Sequence, residues 1–170
     1  MNVLKLIGGT IILICGVLSG IYFSGRLQKR IDFIMQYISF LTRAESMISY
    51  CSCDIKEILS AAYSIPLINK VTSHCLLLLS KGDTFSEAWN KSIDNKCYEG
   101  CFYREDAEMM KAFSADFGVL GVSEETEKLR LHKEIAQQRL SYLIPEAEKQ
   151  KKLYRTLGTF CGALAAVLMI

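Results

Sequence analysis

The stretch LIGGTIILICGVLSGIYF, from Leu6 to Phe23, contains no charged residue. As an α-helix, its roughly 18 residues would extend about 27 Å, close to the thickness of the hydrocarbon core of a bilayer. A cleaved signal peptide would need a small-residue cleavage site before a neutral mature start, but Arg26, Lys29 and Arg30 follow directly. The stretch therefore predicts a retained N-terminal transmembrane helix over residues 1–24.

The end of the chain has a similar but shorter pattern. No charged residue lies between Leu157 and Ile170, and four basic residues lie in the preceding segment Lys149–Arg155. A helix over the uncharged part would be only about 21 Å long, so it must begin near Leu153 to approach a core of roughly 30 Å. The pattern predicts a second transmembrane helix over residues 153–170.

Basic residues flank both apolar segments on the side of the middle of the chain. Because cytoplasmic flanks are enriched in Lys and Arg, we expect residues 25–152 to form a cytosolic domain. The seven cysteines form no paired zinc-ligand pattern, and free thiols are typical of a reducing compartment. This domain contains all 18 acidic residues and nearly all of the 20 basic ones, so its charge is close to balanced. Such balance argues against nucleic-acid binding.

Periodicity in the middle domain predicts helices. The apolar residues from Leu27 to Ile48 recur mostly every three or four positions, as in an amphipathic helix that continues from the first apolar segment. Further helix starts are predicted at Asp54, Pro66, Thr84, Tyr103 and Ser123 from capping residues and proline. The helix beginning at Tyr103 is expected to reach Phe117, and Pro145 is expected to bend or break the last one. The predicted fold class is all-α: a cytosolic helical bundle flanked by an N-terminal and a C-terminal transmembrane helix.

No catalytic or metal-binding pattern is found in the sequence. The chain has no phosphate-binding GxxxxGK[ST] loop, no GxSxG elbow and no HExxH motif. Acidic residues cluster at the predicted start of the last helix, where the helix dipole and solvation explain them. We therefore expect a protein that is not an enzyme and that binds no metal or other cofactor.

Small residues recur every fourth position in both apolar segments. This spacing lets two helix backbones approach closely, as helices do when they associate in lipid. The hypothesis is that the two segments pack against each other, or against copies in a neighbouring chain, so self-association stays open. The candidate packing residues are Gly16, Gly20, Ser24, Gly158, Gly162 and Ala166.

Charged residues at two predicted helix starts are candidates for partner binding. They are Arg104, Glu105, Glu124 and Glu125. They lie far from both apolar segments in the sequence, where a soluble partner would reach them. An ordinary solvated helix start explains the same residues more simply, and both interpretations are kept.

Four stretches carry a resemblance to a known family. They are LKLIGGTIIL and SGIYFSGRLQKRI near the beginning, FGVLGVSEE at Phe117–Glu125, and KLYRTLGTFCGAL at Lys152–Leu164. In these the chain resembles the stage III sporulation protein AB family of endospore-forming bacteria over essentially its whole length. The family is similar to the inner-membrane platform protein of type II secretion and type IV pilus machines.

The resemblance implies a non-enzymatic platform in the channel complex between mother cell and forespore. It implies a cytosolic secretion-type ATPase of the same sporulation operon as partner, together with other membrane proteins of the channel. The implied location is the outer forespore membrane, with the middle domain in the mother-cell cytoplasm. An alternative stays open, in which the chain is a membrane-tethered regulatory adaptor that binds a soluble partner outside any secretion machine.

Overall fold

The computed structural model describes residues 2–51, 53–95, 102–115, 117 and 121–169. Within the two long helices, the side chains of residues 2–7, 9–10, 12–13, 155, 161–163 and 165–169 lie outside this description. The helices are α1 (Asn2–Cys51), α2 (Ile55–Ala61), a 3₁₀ turn (Ala62–Ser64), α3 (Pro66–Ser80), α4 (Phe85–Ile93), α5 (Arg104–Phe113) and α6 (Val122–Met169). The all-α prediction is confirmed.

The prediction of transmembrane helices at both ends is wrong. Among the described residues, no helix combines the length and the apolar character needed to cross a bilayer. In α1, Arg26, Lys29 and Arg30 follow Phe23 within three to seven positions, so charge lies close to the apolar stretch. In α6, the basic segment Lys149–Arg155 lies directly before the apolar residues that begin at Leu157.

Local sequence signals set most of the helix ends. Pro66 occupies the first turn of α3, where its missing N–H has no helical partner to lose. Gly82 follows α3 with a φ of 100°, a left-handed conformation that favours glycine. Thr84 and Glu87 form a reciprocal capping box at the start of α4.

Two predicted features of the later helices differ from the structure. α5 ends at Phe113 rather than Phe117, and there the Ser114 hydroxyl and backbone N–H both donate to the carbonyl of Lys111 at 3.0 Å. α6 stays helical through Pro145, so the predicted break is absent, and a bend at this position stays a prediction. A proline removes one backbone hydrogen bond, and a helix of 48 residues retains the others.

The chain divides into two compact units. The central unit is Arg30–Ser141, and the terminal unit comprises Met1–Lys29 together with Tyr142–Ile170.

The core of the central unit is aromatic: the ring of Trp89 stacks on Phe40 with centroids 5.7 Å apart and meets Phe113 edge-on at 5.4 Å. The Trp89 indole also donates to the carbonyl of Met110 at 2.8 Å. These contacts fix α4 and α5 against α1.

The terminal unit is formed by the first half of α1 and the second half of α6. A Cβ added to Gly158 would lie 2.6 Å from the backbone oxygen of Gly16 and 3.5 Å from Cα of Gly20. The ring of Phe23 stacks on Tyr154 with centroids 5.7 Å apart, and the Lys151 ammonium donates to the Gln28 side chain. The two helix segments are therefore in close backbone contact.

Candidate functional site

The start of α5 holds a buried carboxylate at Asp106. Its side chain is 0% exposed, and one oxygen accepts a hydrogen bond from the backbone N–H of Tyr103 at 3.0 Å. This bond satisfies one of the backbone donors that a helix start leaves without a helical partner. An acidic residue in the first turn also interacts favourably with the helix dipole.

Arg30 of α1 binds this carboxylate with both arms of its guanidinium. Nε donates to one oxygen of Asp106 at 2.6 Å, and Nη2 donates to the other at 2.9 Å. The guanidinium carbon also lies 4.2 Å from the centre of the Tyr103 ring, a cation–π contact. Planar, two-bond contacts of this kind are specific to arginine, and a lysine could not reproduce them.

Arg139 of α6 completes the cluster. Its Nε donates to Asp106 at 3.1 Å, and its Nη2 is bonded to Glu105. Two arginines and two carboxylates therefore meet at this point, with no net formal charge. We call Arg30, Glu105, Asp106 and Arg139 the arginine cluster.

The protonation state of Asp106 follows from these contacts. Burial alone would raise the pKa of its carboxyl, but hydrogen bonds from Arg30 and from the Tyr103 backbone outweigh it, and the pKa lies below its ordinary value. Arg139 shows the same competition: burial lowers its pKa, and its bonds to Glu105 and Asp106 raise it above the usual range. Asp106 and Arg139 are therefore both ionised at neutral pH.

The arginine cluster joins three helices, and one of its members, Glu105, is exposed to solvent. Asp106 is inaccessible, so it is suited to holding α1, α5 and α6 together rather than to reacting with a substrate. Glu105 is different: its side chain is 75% exposed. Arg104, beside it at the first position of α5, is also exposed. The predicted partner residues Arg104 and Glu105 thus lie on the accessible side of a buried ionic joint.

The other two predicted partner residues lie at the start of α6. Glu124 is exposed and, with Glu127, Lys128 and Leu131, lines an open depression of about 510 Å³. Glu125 points inward and is only 5% exposed. The start of α6 is adjacent to the end of α1, where the hydroxyls of Ser49 and Thr126 are 3.4 Å apart.

The structure does not bring the four predicted residues together. Glu105 contacts Arg139, which lies 15 residues beyond Glu124 on the same helix, or roughly 22 Å along its axis. The two pairs therefore occupy opposite ends of the central unit. A partner that used both would have to cover the length of that unit.

Comparison with known proteins identifies the family. The stage III sporulation protein AB family matches residues 5–170. The chain belongs to that family. No curated protein and no solved structure matches it. The family match confirms the resemblance drawn from the sequence and shows that this is a protein of sporulation stage III.

The sequence of this family member did not reveal the arginine cluster. Arg30 was interpreted as part of a basic flank of an apolar segment, but it is buried against Asp106, which lies 76 positions away. A local signal was present, since Asp106 follows Tyr103 at the spacing of a helix-capping acid. Nothing in a single sequence pairs that acid with Arg30 and Arg139.

The predicted packing residues of the terminal unit are partly described. Gly158 lies against Gly16 and Gly20, and Gly20 and Ser24 are buried. The packing of Gly162 and Ala166 falls outside the described side chains. A role of these residues in assembly between chains stays a prediction.

Proposed function

We propose that this chain is a non-enzymatic platform component of the stage III sporulation channel complex. In this proposal its central unit binds the cytosolic secretion-type ATPase encoded in the same operon, and other channel proteins hold it at the outer forespore membrane on the mother-cell side. Family membership supports the place in sporulation. The arginine cluster is the structural observation that supports a platform.

A platform must keep its shape when a motor pulls on it. Packed apolar helices can slide past one another with little change in contact, but a buried carboxylate with fixed donors cannot move without losing hydrogen bonds. Asp106 accepts from α1, from the backbone at the start of α5, and from α6. Breaking such a buried ionic contact costs about 3–5 kcal/mol. The cluster therefore gives the three helices one fixed arrangement.

The same arrangement presents charged groups to a partner. Arg104 and Glu105 are held at one end of the central unit, and Glu124 and Glu127 at the other. Exposed charges on a fixed frame set the orientation and the association rate of a partner more than they set its final affinity. We propose that the ATPase contacts both ends of the central unit.

Capture of the ATPase by the full chain tests this proposal. We expect tagged full-length chain to retain the operon's secretion-type ATPase at low salt, and less of it as salt screens the charges. Reversal of one exposed charge at either end, Arg104→Glu or Glu124→Lys, should weaken binding about tenfold.

Lys56→Glu is the matched control, because Lys56 is exposed on α2 and is not in either charged end. Its binding should stay within about twofold of the wild type. An ATPase that is not retained by the wild-type chain would contradict the proposed partner. Retention that no reversal changes would contradict the proposed surface.

The proposed location has a separate test. Cys51 is exposed in the central unit, so a chain in which it is the sole cysteine reports the compartment of that unit. A membrane-impermeant thiol reagent should label it only after the mother-cell membrane is opened. Strong labelling in intact cells would contradict a cytoplasmic central unit.

A further inference from the structure

The terminal unit carries four exposed cations that are not paired with acids. Arg26 and Lys29 belong to α1, and Lys149 and Lys152 belong to α6. None of the four forms an ion pair or a side-chain hydrogen bond with any residue that the structure describes. The sequence of this unit contains seven basic residues and two acidic ones, so positive charge is in excess. We call the four exposed cations the basic collar.

Contacts between α1 and α6 bring the basic collar together from the two ends of the chain. The ring of Phe23 stacks on Tyr154, and the Lys151 ammonium donates to the Gln28 side chain. The two segments therefore run antiparallel, with the cations of α1 beside those of α6. Four like charges at one level repel one another, and an anionic ligand would relieve this repulsion.

The basic collar faces away from the contact between the two helices. Gly20 lies against Gly158 at that contact. Each residue advances about 100° around a helix, so Lys29 is turned by roughly 180° from Gly20, and the other α1 cation by roughly 120°. Lys149 and the other α6 cation are turned by the same angles from Gly158. The cations therefore lie on opposite sides of the helix pair.

This placement distinguishes between possible anionic partners. The rigid surface of a folded protein or a nucleic-acid duplex would meet one side of the helix pair and leave the cations of the other side uncovered. Individual phospholipids are small enough to reach both sides. Lysine and arginine beside apolar helix segments are attracted to anionic phospholipids in this way.

The side chains next to the basic collar also favour lipid. Tyr22, one turn before Arg26, is 66% exposed, and Phe160, two turns after Lys152, is 67% exposed. Tyrosine is enriched at the level of lipid headgroups, where its ring contacts apolar groups and its hydroxyl contacts water. An acidic peptide or a nucleic acid would neutralise the cations but would offer no acyl chains to these exposed rings.

We propose that the terminal unit binds anionic phospholipids through the basic collar. Their headgroups contact the cations on both sides of the helix pair, and their acyl chains contact the exposed apolar side chains beside the collar. This goes beyond the proposed function, in which other channel proteins hold the chain at the membrane. The contact uses residues of the terminal unit alone, so it does not depend on which protein the central unit binds.

Titration of the full chain with short-chain phospholipids in nonionic detergent, followed by native mass spectrometry, tests the proposal. The probes are dioctanoyl phosphatidylglycerol and dioctanoyl phosphatidylcholine, which have the same acyl chains and differ in net headgroup charge. The wild type should bind phosphatidylglycerol about tenfold more tightly or better. Each cation contributes about fivefold to affinity, so Lys29→Gln/Lys149→Gln should weaken phosphatidylglycerol binding about 25-fold. Its binding of phosphatidylcholine should stay within about twofold of the wild type.

Lys56→Gln/Lys81→Gln is the matched control, because both lysines are exposed in the central unit and the variant loses the same charge. It should bind phosphatidylglycerol within about twofold of the wild type. Equal binding of the two lipids by the wild type, or equal losses in the two double variants, would overturn the proposal. So would a soluble polyglutamate peptide that binds the collar more tightly than phosphatidylglycerol, since an acidic protein segment would then be its occupant.

Discussion

The central and terminal units treat their largest apolar side chains in opposite ways. In the central unit, Trp89, Phe33 and Phe40 are fully enclosed, and the buried carboxylate of Asp106 is paired with Arg30 and Arg139. In the terminal unit, Leu18, Phe160 and Leu164 are each more than half exposed. The comparison teaches that the largest aromatic side chains of the central unit are enclosed by its own residues, whereas the terminal unit leaves several large apolar side chains exposed.

The largest expected effect is in the aromatic core of the central unit. Trp89→Ala removes a fully buried indole and leaves the Met110 carbonyl without its donor. We expect the free energy of unfolding to fall by about 3–5 kcal/mol, measured by urea denaturation followed by circular dichroism. Tyr63→Ala, at an exposed position, should change it by less than about 0.5 kcal/mol. Equal effects at the two positions would contradict the described core.

The second prediction concerns the arginine cluster. Asp106→Asn leaves Arg30 and Arg139 facing each other without a negative charge between them, and we expect a loss of about 3 kcal/mol in unfolding free energy. Glu105→Gln is the control, because Glu105 lies at the exposed edge of the same cluster, where a charge pair contributes at most about 1 kcal/mol. A milder loss at Asp106 than at Glu105 would show that Asp106 does not hold the helices together.

The third prediction concerns the close contact between Gly158 and Gly16 in the terminal unit. Gly158→Ala places a methyl group 2.6 Å from the backbone oxygen of Gly16, so the helices must separate, at a cost of about 1–3 kcal/mol. Gly25→Ala has no neighbouring atom within 4 Å of the new Cβ and should instead stabilise the helix by up to about 1 kcal/mol.

Trp89 makes this third test specific to one unit. It is the sole tryptophan of the chain and lies in the central unit, so its fluorescence follows the unfolding of that unit alone. Gly158→Ala should shift the circular-dichroism transition and leave the fluorescence transition in place. A shift of both by the same amount would mean that the two units unfold as one.

The smallest effect expected is in the dependence of stability on pH. The folded pKa of Asp106 lies below its ordinary value of 3.8. The ionised carboxylate therefore stabilises the fold above that value, and this contribution is lost as the pH falls toward the folded pKa. The acid side of the stability profile should be less steep in Asp106→Asn than in the wild type. Identical slopes below pH 4 would contradict the lowered pKa.

Signals between near neighbours made much of the fold predictable. Pro66, Gly82 and the Thr84–Glu87 capping box each act within one helical turn, and the structure places helix ends at all three. The stripe beginning at Leu27 also predicted that α1 continues without a break into the central unit. Each of these signals depends on residue type and on spacing within a few positions, so it can be recognised in the sequence alone.

Long-range contacts were not predictable in the same way. The partners of Asp106 lie 76 and 33 positions away, and many other charged residues had the same local appearance. The sequence also left the outcome at Glu125 open: it was grouped with Glu124, but its side chain is buried while that of Glu124 is exposed. The two side chains point about 100° apart around the helix axis. Which of them is buried depends on how α6 packs against the rest of the central unit.

Hydrogen–deuterium exchange of the full chain, with and without the secretion-type ATPase, tests most directly whether the central unit is a docking platform. We predict slower exchange at the starts of α5 and α6, around Arg104 and Glu124, and unchanged exchange in the terminal unit. Unchanged exchange throughout the central unit, or protection confined to residues 2–29 and 142–169, would contradict it.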